Sequence, residues 1–338
     1  MAINAALIGA TGIIGREILA ILDERLFDVD TMHVLASRAS LGREVSFGDK
    51  TLKCTDLDHF DFSSVDLVFL AAGSETARRW APKIAAAGAL IIDNSSAFRM
   101  EKDVPLVIPE VNPEAVREGR KRNIIANPNC STIQMLVALK PVHDAARIKR
   151  IVVSTYQATS GAGKAAMDEL WDQTKGIYVT DTPTVNVFPK QIAFNVIPQC
   201  DVFMDDGGTR EEHKMINETR KILDADIRVS ASCVRVPVFV GHGEAVNVEL
   251  ERPLSADAAR SLLRESPGLM VVDKHEDGGY VTPVEAAGEF AVYVSRIRED
   301  KSLAHGLSLW VCADNVRKGG ALNAVQIAEL ARDRGLFS

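Results

Sequence analysis

Short apolar runs alternate with amphipathic stretches through the first third of the chain. Residues 3–8 read as a buried strand and 15–26 as a helix with Ile18, Leu19 and Leu22 on one face. A second strand is expected at 32–36. A third, at 65–72, is almost wholly apolar, as strands covered on both faces are. Residues 75–87 look helical and stop at Gly88, and 89–92 form another strand before Asp93-Asn94-Ser95-Ser96. The rhythm predicts an α/β domain built on a Rossmann-like, doubly wound parallel sheet. Asn123-Ile124-Ile125-Ala126 reads as the end of a further strand. A helix without Gly or Pro then follows over 132–139, with Cys130 at its first turn.

The pattern changes from about Lys149. Residues 151–157, 227–236, 245–250 and 289–294 read as longer strands, with helices at 164–174, 210–223 and 256–265 between them. Strands without regular helical alternation predict a mixed or antiparallel sheet, and so a second domain of α+β type. The last stretch, 319–334, is a helix carrying Ala321, Leu322, Val325, Ile327, Ala328 and Leu330, expected to pack back on the first domain. No internal repeat or low-complexity tract interrupts the chain.

The 338 residues are 46% hydrophobic and 25% charged, enough for a sizeable core in two domains. A net charge of −7 leaves no electrostatic footprint for nucleic acid or an anionic membrane. No apolar run reaches the length of a membrane span. Met1-Ala2-Ile3-Asn4-Ala5 has no charged leader region or cleavage site, so a cytoplasmic protein is expected. Cys54, Cys130, Cys200, Cys233 and Cys312 are scattered, without CxxC or mixed Cys/His spacing, so neither a zinc site nor a disulfide framework is expected.

Gly9-Ala10-Thr11-Gly12-Ile13-Ile14-Gly15 joins the first strand to the first helix as a GxxGxxG dinucleotide fingerprint. Its glycines allow the backbone to approach a pyrophosphate, and the helix start favours the anion. The second strand ends Leu35-Ala36-Ser37-Arg38-Ala39-Ser40, with no acid for the ribose hydroxyls. A guanidinium and two hydroxyls suit a 2′-phosphate, pointing to NADP; the alternative is that Arg38 is a solvated loop charge.

Asn127-Pro128-Asn129-Cys130-Ser131-Thr132 places a thiol among the unpaired N–H groups of a helix start, where thiolate is favoured. Cys130 is either a nucleophile or a small buried filler. His242 lies between Gly241 and Gly243, just before a strand, which suits a projecting acid/base. Arg235 sits in the apolar run Cys233-Val234-Arg235-Val236 and needs a carboxylate from the protein or from a substrate. Glu211 and Lys214 share a helix face, as an ion pair on the surface would. Arg99 follows a strand end of the first domain, where open α/β sheets bind ligands. Ser160-Gly161-Ala162-Gly163-Lys164 either cradles an anion or caps a helix.

Together these motifs resemble the aspartate-β-semialdehyde dehydrogenases over the whole length: the fingerprint, Ser95 to Arg99, Asn127 to Thr132, Tyr156 to Gly163, Glu211 to Lys214, Arg235 to Gly243, and Asp314 to Gly319 with Asn323 to Leu330. The resemblance implies NADPH-dependent reductive dephosphorylation of L-aspartyl-4-phosphate to L-aspartate 4-semialdehyde, phosphate and NADP⁺. That step feeds lysine, diaminopimelate, methionine, threonine and isoleucine synthesis. It implies Cys130 as nucleophile, His242 as acid/base and Gln157 as the group orienting the acyl carbon. Arg235 would hold the substrate carboxylate, Glu211 its amino group, and Arg99 and Lys214 the phosphate, with Asn129 also at the substrate. Gly9, Thr11, Gly12 and Ile13 would meet the dinucleotide, Ser37, Arg38 and Ser40 its 2′-phosphate, and Ser160, Gly161, Gly163, Asn315, Asn323 and Gln326 its other parts. It further implies a homodimer, with residues 1–130 and 318–338 binding NADP and 131–317 forming the catalytic and dimerisation domain.

Two alternatives stand beside this. N-acetyl-γ-glutamyl-phosphate reductase shares the architecture and chemistry but is expected to carry Asn-Pro-Gly-Cys-Tyr around its cysteine, where this chain has Asn-Pro-Asn-Cys-Ser. A non-catalytic dinucleotide-binding paralogue would have lost the cysteine or the histidine, and both are present.

Overall fold

The computed structural model describes residues 3–179 and 184–337. The reading of the chain's start at Met1 and Ala2, and the domain limit at Ser338, fall outside them. The chain divides into two units, Met1–Asn129 with Gly320–Ser338, and Cys130–Gly319.

The first unit runs β1 (Ile3–Ile8), α1 (Ile13–Glu24), β2 (Val29–Ala36), a hairpin of β3 (Glu44–Phe47) and β4 (Lys50–Lys53), then β5 (Thr55–Asp56), β6 (Leu67–Leu70), α2 (Ser74–Ala86), β7 (Leu90–Asp93) and β8 (Ile124–Ala126). Six strands form one sheet in the order β5-β2-β1-β6-β7-β8, and every pair is parallel. From β1 the chain winds outward to β5, then returns to build the other half from β6. The doubly wound sheet therefore has its switch point between β1 and β6, where such sheets bind ligands. All of β6 and β7 is buried, which accounts for their unbroken apolar sequence. Helix α1 buries Ile18, Leu19, Ile21 and Leu22 on its inner face.

The second unit runs α3 (Cys130–Ala146), β9 (Ile148–Gln157), α4 (Lys164–Tyr178), α5 (Arg210–Ile222), β10 (Arg228–Arg235), β11 (His242–Leu250), α6 (Ala256–Arg264), β12 (Leu269–Val271), α7 (Pro283–Ala286), β13 (Val292–Glu299) and β14 (Gly306–Ala313). The sheet order is β10-β9-β11-β14-β13-β12, mixed as expected. The β10–β9 and β12–β13 pairs are parallel and the rest antiparallel. Helix α3 is buried without a break from Ser131 to Leu139, so it packs as a central helix rather than an amphipathic one. Period-two alternation turns Thr155 and Gln157, Cys233 and Arg235, and His242 and Glu244 to the buried face of the sheet.

A π-helical turn (Arg317–Leu322) leads into α8 (Asn323–Asp333). This helix belongs to the first unit. Asn323 Nδ2 donates to the Val107 carbonyl at 3.0 Å, and Arg25 pairs with Glu329 at 2.7 Å.

Several element limits differ from the sequence reading. Helix α1 begins at Ile13 rather than 15, and α8 at Asn323 rather than 319, because the π-helical turn comes first. The strand expected at 289–294 lies at Val292–Glu299. Strand β14 was not anticipated, although Leu307, Leu309 and Val311 alternate along it as buried residues, nor was the small β3–β4 hairpin.

Candidate active site

In the first unit the fingerprint turn sits between β1 and α1. Gly9 has φ +88°, and a side chain there would overlap the Ala71 carbonyl at the end of β6. Gly12 is the N-cap of α1; no side chain caps that helix and no acid lies in its first turn, leaving the start suited to an anion. A cleft of about 530 Å³ opens here, lined by Gly9, Thr11, Ser37, Arg38, Ser40 and Arg79 among others. The glycine turn at its wall suits a dinucleotide, and Gly12 and Ile13 stand at the start of α1 beside it in sequence. Arg38 and Ser40 lie in a 3₁₀ turn after β2. The Arg38 guanidinium is exposed but not alone, standing 3.8 Å from Asp56. Asp56 is a cleft acid that sequence reasoning missed. It lies at the end of β5, in register with Ala36, and only the strand pairing reveals it.

At the far end of the same sheet Arg99 is buried. Its Nε donates to the Asn127 carbonyl at 2.9 Å and one terminal nitrogen to the Asn94 carbonyl at 3.0 Å, fixing it at the C-terminal ends of β7 and β8. Asn323 also donates to Asn127 Oδ1 at 2.7 Å, and Gln326 donates to Glu110 at 2.9 Å, so both amides tie α8 to its own unit. Asn129 is buried at the turn that follows β8.

The second unit begins with Cys130 as the first residue of α3, where its thiol meets the helix start. Gly319 packs against it: a side chain at 319 would lie 2.5 Å from the Cys130 Cβ. One residue on, the Ser131 hydroxyl accepts a hydrogen bond from Gln157 Nε2 at 2.9 Å, and the same amide donates to Glu211 Oε1 at 2.9 Å. Gln157 Oε1 is buried and has no partner among the described residues. Helix α5 is started by a capping box between Thr209 and Glu212, which places Glu211 and Lys214 in its first two turns. Lys214 Nζ bonds Glu211 and Asp201, both at 2.9 Å. Burial works against the Lys214 charge, but the two carboxylates outweigh it and raise its pKa.

His242 opens β11 and is wholly buried, not projecting as its glycine neighbours led us to expect. Its Nδ1 accepts the Ala158 N–H at 3.0 Å, so the neutral ring carries its proton on Nε2, which has no partner among the described residues. Burial and then the nearby Arg235 charge push its pKa down to about 3, so the ring is neutral at neutral pH. Arg235 closes β10, is buried, and donates to the Ala158 carbonyl at 2.7 Å. No carboxylate of the described residues pairs with it. Gly161 lies against both, since a Cβ there would stand 2.9 Å from an Arg235 nitrogen and 3.3 Å from His242 Nε2. Asn315 Oδ1 accepts from Ser160 Oγ at 3.0 Å and Gly241 N at 2.9 Å, stapling the Ser160 turn to the loop before His242. Gly163 is the N-cap of α4. Thus Ser160, Gly161, Gly163 and Asn315, read from the sequence as dinucleotide residues, belong to the unit that holds the cysteine. Asp201, on Lys214, carried no sequence signal at all.

Among the described residues no cluster of His, Cys, Asp and Glu could hold a metal, and no helix is long and apolar enough to cross a membrane.

The parallel doubly wound unit with its glycine fingerprint and the mixed-sheet unit match, in turn, the two domains of the semialdehyde dehydrogenases. Their NAD-binding domain model matches residues 4–119 and their dimerisation domain model residues 139–318. Aspartate-semialdehyde dehydrogenase of Aquifex aeolicus (strain VF5) is 51% identical, covering 100% of both chains. The crystal structure of aspartate semialdehyde dehydrogenase II from Vibrio cholerae, complexed with ASA, superposes with a TM-score of 0.96 at 50% identity over 98% of this chain and 99% of that one. The structure of aspartate semialdehyde dehydrogenase with NADP from Candida albicans has a TM-score of 0.77 at 25% identity, covering 100% of both. The chain belongs to the aspartate-semialdehyde dehydrogenase family.

Proposed function

We propose that this chain reduces L-aspartyl-4-phosphate to L-aspartate 4-semialdehyde with release of phosphate, using NADPH, as a cytoplasmic homodimer serving amino-acid biosynthesis. The observation that carries the substrate assignment is buried Arg235, which has no carboxylate partner among the described residues. A buried guanidinium without an anion is costly, and the substrate's α-carboxylate supplies one. Glu211 then takes the α-ammonium and Lys214 the phosphate, so each substrate charge meets its opposite.

Cys130 sulfur attacks the acyl carbon of the acyl phosphate, the C–O bond to phosphate breaks, and a thioester remains on sulfur. Helix α3 supplies N–H groups at its start for the developing oxyanion. Gln157 orients the acyl group, its position fixed by Ser131 and Glu211. His242 donates a hydrogen bond from Nε2–H to the acyl oxygen as negative charge develops there, with the Ala158 N–H fixing that tautomer. A substrate carboxylate on Arg235 also neutralises the charge that, after burial, depresses the imidazole. NADPH, when bound, supplies the hydride that reduces the thioester carbon. Cys130 finally leaves as thiolate when the aldehyde forms. For NADP over NAD, the support is Arg38 with Ser37 and Ser40 on the cleft wall.

The test is phosphate-dependent reduction of NADP⁺ by L-aspartate 4-semialdehyde. Turnover that requires phosphate is expected. Silence there, with activity on the N-acetylated glutamate analogue, overturns the substrate assignment.

A further inference from the structure

We infer that Asp201 is a positioning residue for phosphate binding: it pins the Lys214 ammonium beside Glu211. The inference rests on the assignment of Lys214 to phosphate. The loop before α5 doubles back on itself. Arg210 N donates to the Val202 carbonyl at 2.8 Å and Met204 N to the Gly208 carbonyl at 2.7 Å. The doubling sets Asp201 against the start of α5, where its Oδ2 accepts from Lys214 Nζ at 2.9 Å.

Asp201 is held at φ 67°, in the left-handed region that costs any residue with a Cβ. Its own Oδ1 accepts the Val202 N–H at 2.8 Å, which holds the carboxylate in one orientation. A strained backbone that aims a carboxylate at a site cation points to use of that side chain. Lysine is a point charge on a flexible stem, and a single partner three residues away on its helix leaves much of that freedom. Two carboxylates at 2.9 Å fix the ammonium in place. Once the substrate's ammonium draws on Glu211, Asp201 remains as the anchor. The charged groups around Lys214 are Glu211 on its own helix and Asp201 on the loop, with Arg210 3.8 Å behind Asp201. From β10 comes Arg235, bonded to the Ala158 carbonyl, while Glu212 turns to the Cys233 N–H.

Asp201→Asn removes only the charge, since Asn also tolerates the left-handed backbone. Asp201→Gly removes charge and strain together. In the oxidative assay with inorganic phosphate as the varied ligand, both variants are expected to raise the phosphate KM about tenfold. The aldehyde KM should stay within about twofold. The alkaline limb of kcat/KM for phosphate should move to lower pH, because Lys214 loses one of two carboxylates that hold its proton. A wild-type or lower phosphate KM, or an unmoved limb, in either variant overturns the inference. Lys214→Met separates the two levels. If it leaves the phosphate KM unchanged, the Lys214 assignment falls and the role of Asp201 with it. If it raises that KM while the Asp201 variants do not, only the role of Asp201 falls.

Discussion

Glu244 stands two residues from His242 on the same buried face and is wholly enclosed. Burial, offset only in part by the neighbouring Gln134 amide, holds its carboxyl well above the usual range. A raised acid contributes its full stability below the unfolded pKa, near 4.5, and loses it as pH rises toward the folded value. Glu244→Gln, neutral at every pH, should therefore melt higher than wild type at pH 8, by about 2–4 °C, and show a smaller gain at pH 5. Equal differences at the two pH values would mean that Glu244 is not held protonated. Some residues are legible from sequence because their signal is local. The helix-start position of Cys130 reads from the residues around it, and Arg235 as a buried cation from its valine neighbours. The burial of His242 was not legible. Glycines on both sides promise a free ring, but β11 is an inner strand and α3 lies over it.

At the scale of elements, α5 shows how local sequence delivers chemistry. Thr209 and Glu212 cap one another across the helix start, and Glu212 also accepts from Cys233 N at 3.0 Å, fixing the helix to β10. Thr209→Ala should cost about 1 kcal/mol of stability by loss of the cap. It should also raise the KM for both phosphate and aldehyde, since Glu211 and Lys214 ride on that turn. Denaturant titration with steady-state kinetics checks both; a stability loss with unchanged KM values would uncouple the cap from the site. The helix itself was legible from 210 to 223, but Asp201 was not. It reaches Lys214 only through a loop whose closure depends on backbone hydrogen bonds and a left-handed residue, neither of which leaves a period in the sequence. Asp56 escaped for a related reason: a two-residue strand such as β5 carries no pattern.

At the scale of the whole molecule, the doubly wound first sheet and the mixed second sheet followed from the rhythm of apolar runs. Parallel strands buried on both faces and half-buried mixed strands differ in period, and the change near Lys149 marks the shift. Strand order did not follow, because pairing is set by contacts distant in sequence, as with β11 between β9 and β14. Each unit has its own task in this account: the first offers a glycine-lined anion cleft, the second a thiol, a proton on nitrogen and a set of charges matched to an amino-acid acyl phosphate. Sulfur chemistry is its centre, and covalent capture tests it most directly. Wild-type protein mixed with L-aspartyl-4-phosphate in the absence of NADPH should show, by intact and peptide mass spectrometry, an aspartyl adduct on the peptide bearing Cys130. Cys130→Ala should show none while still binding NADP⁺. An unmodified Cys130 in wild-type protein that turns over, or near-wild-type turnover by Cys130→Ala, would contradict the account.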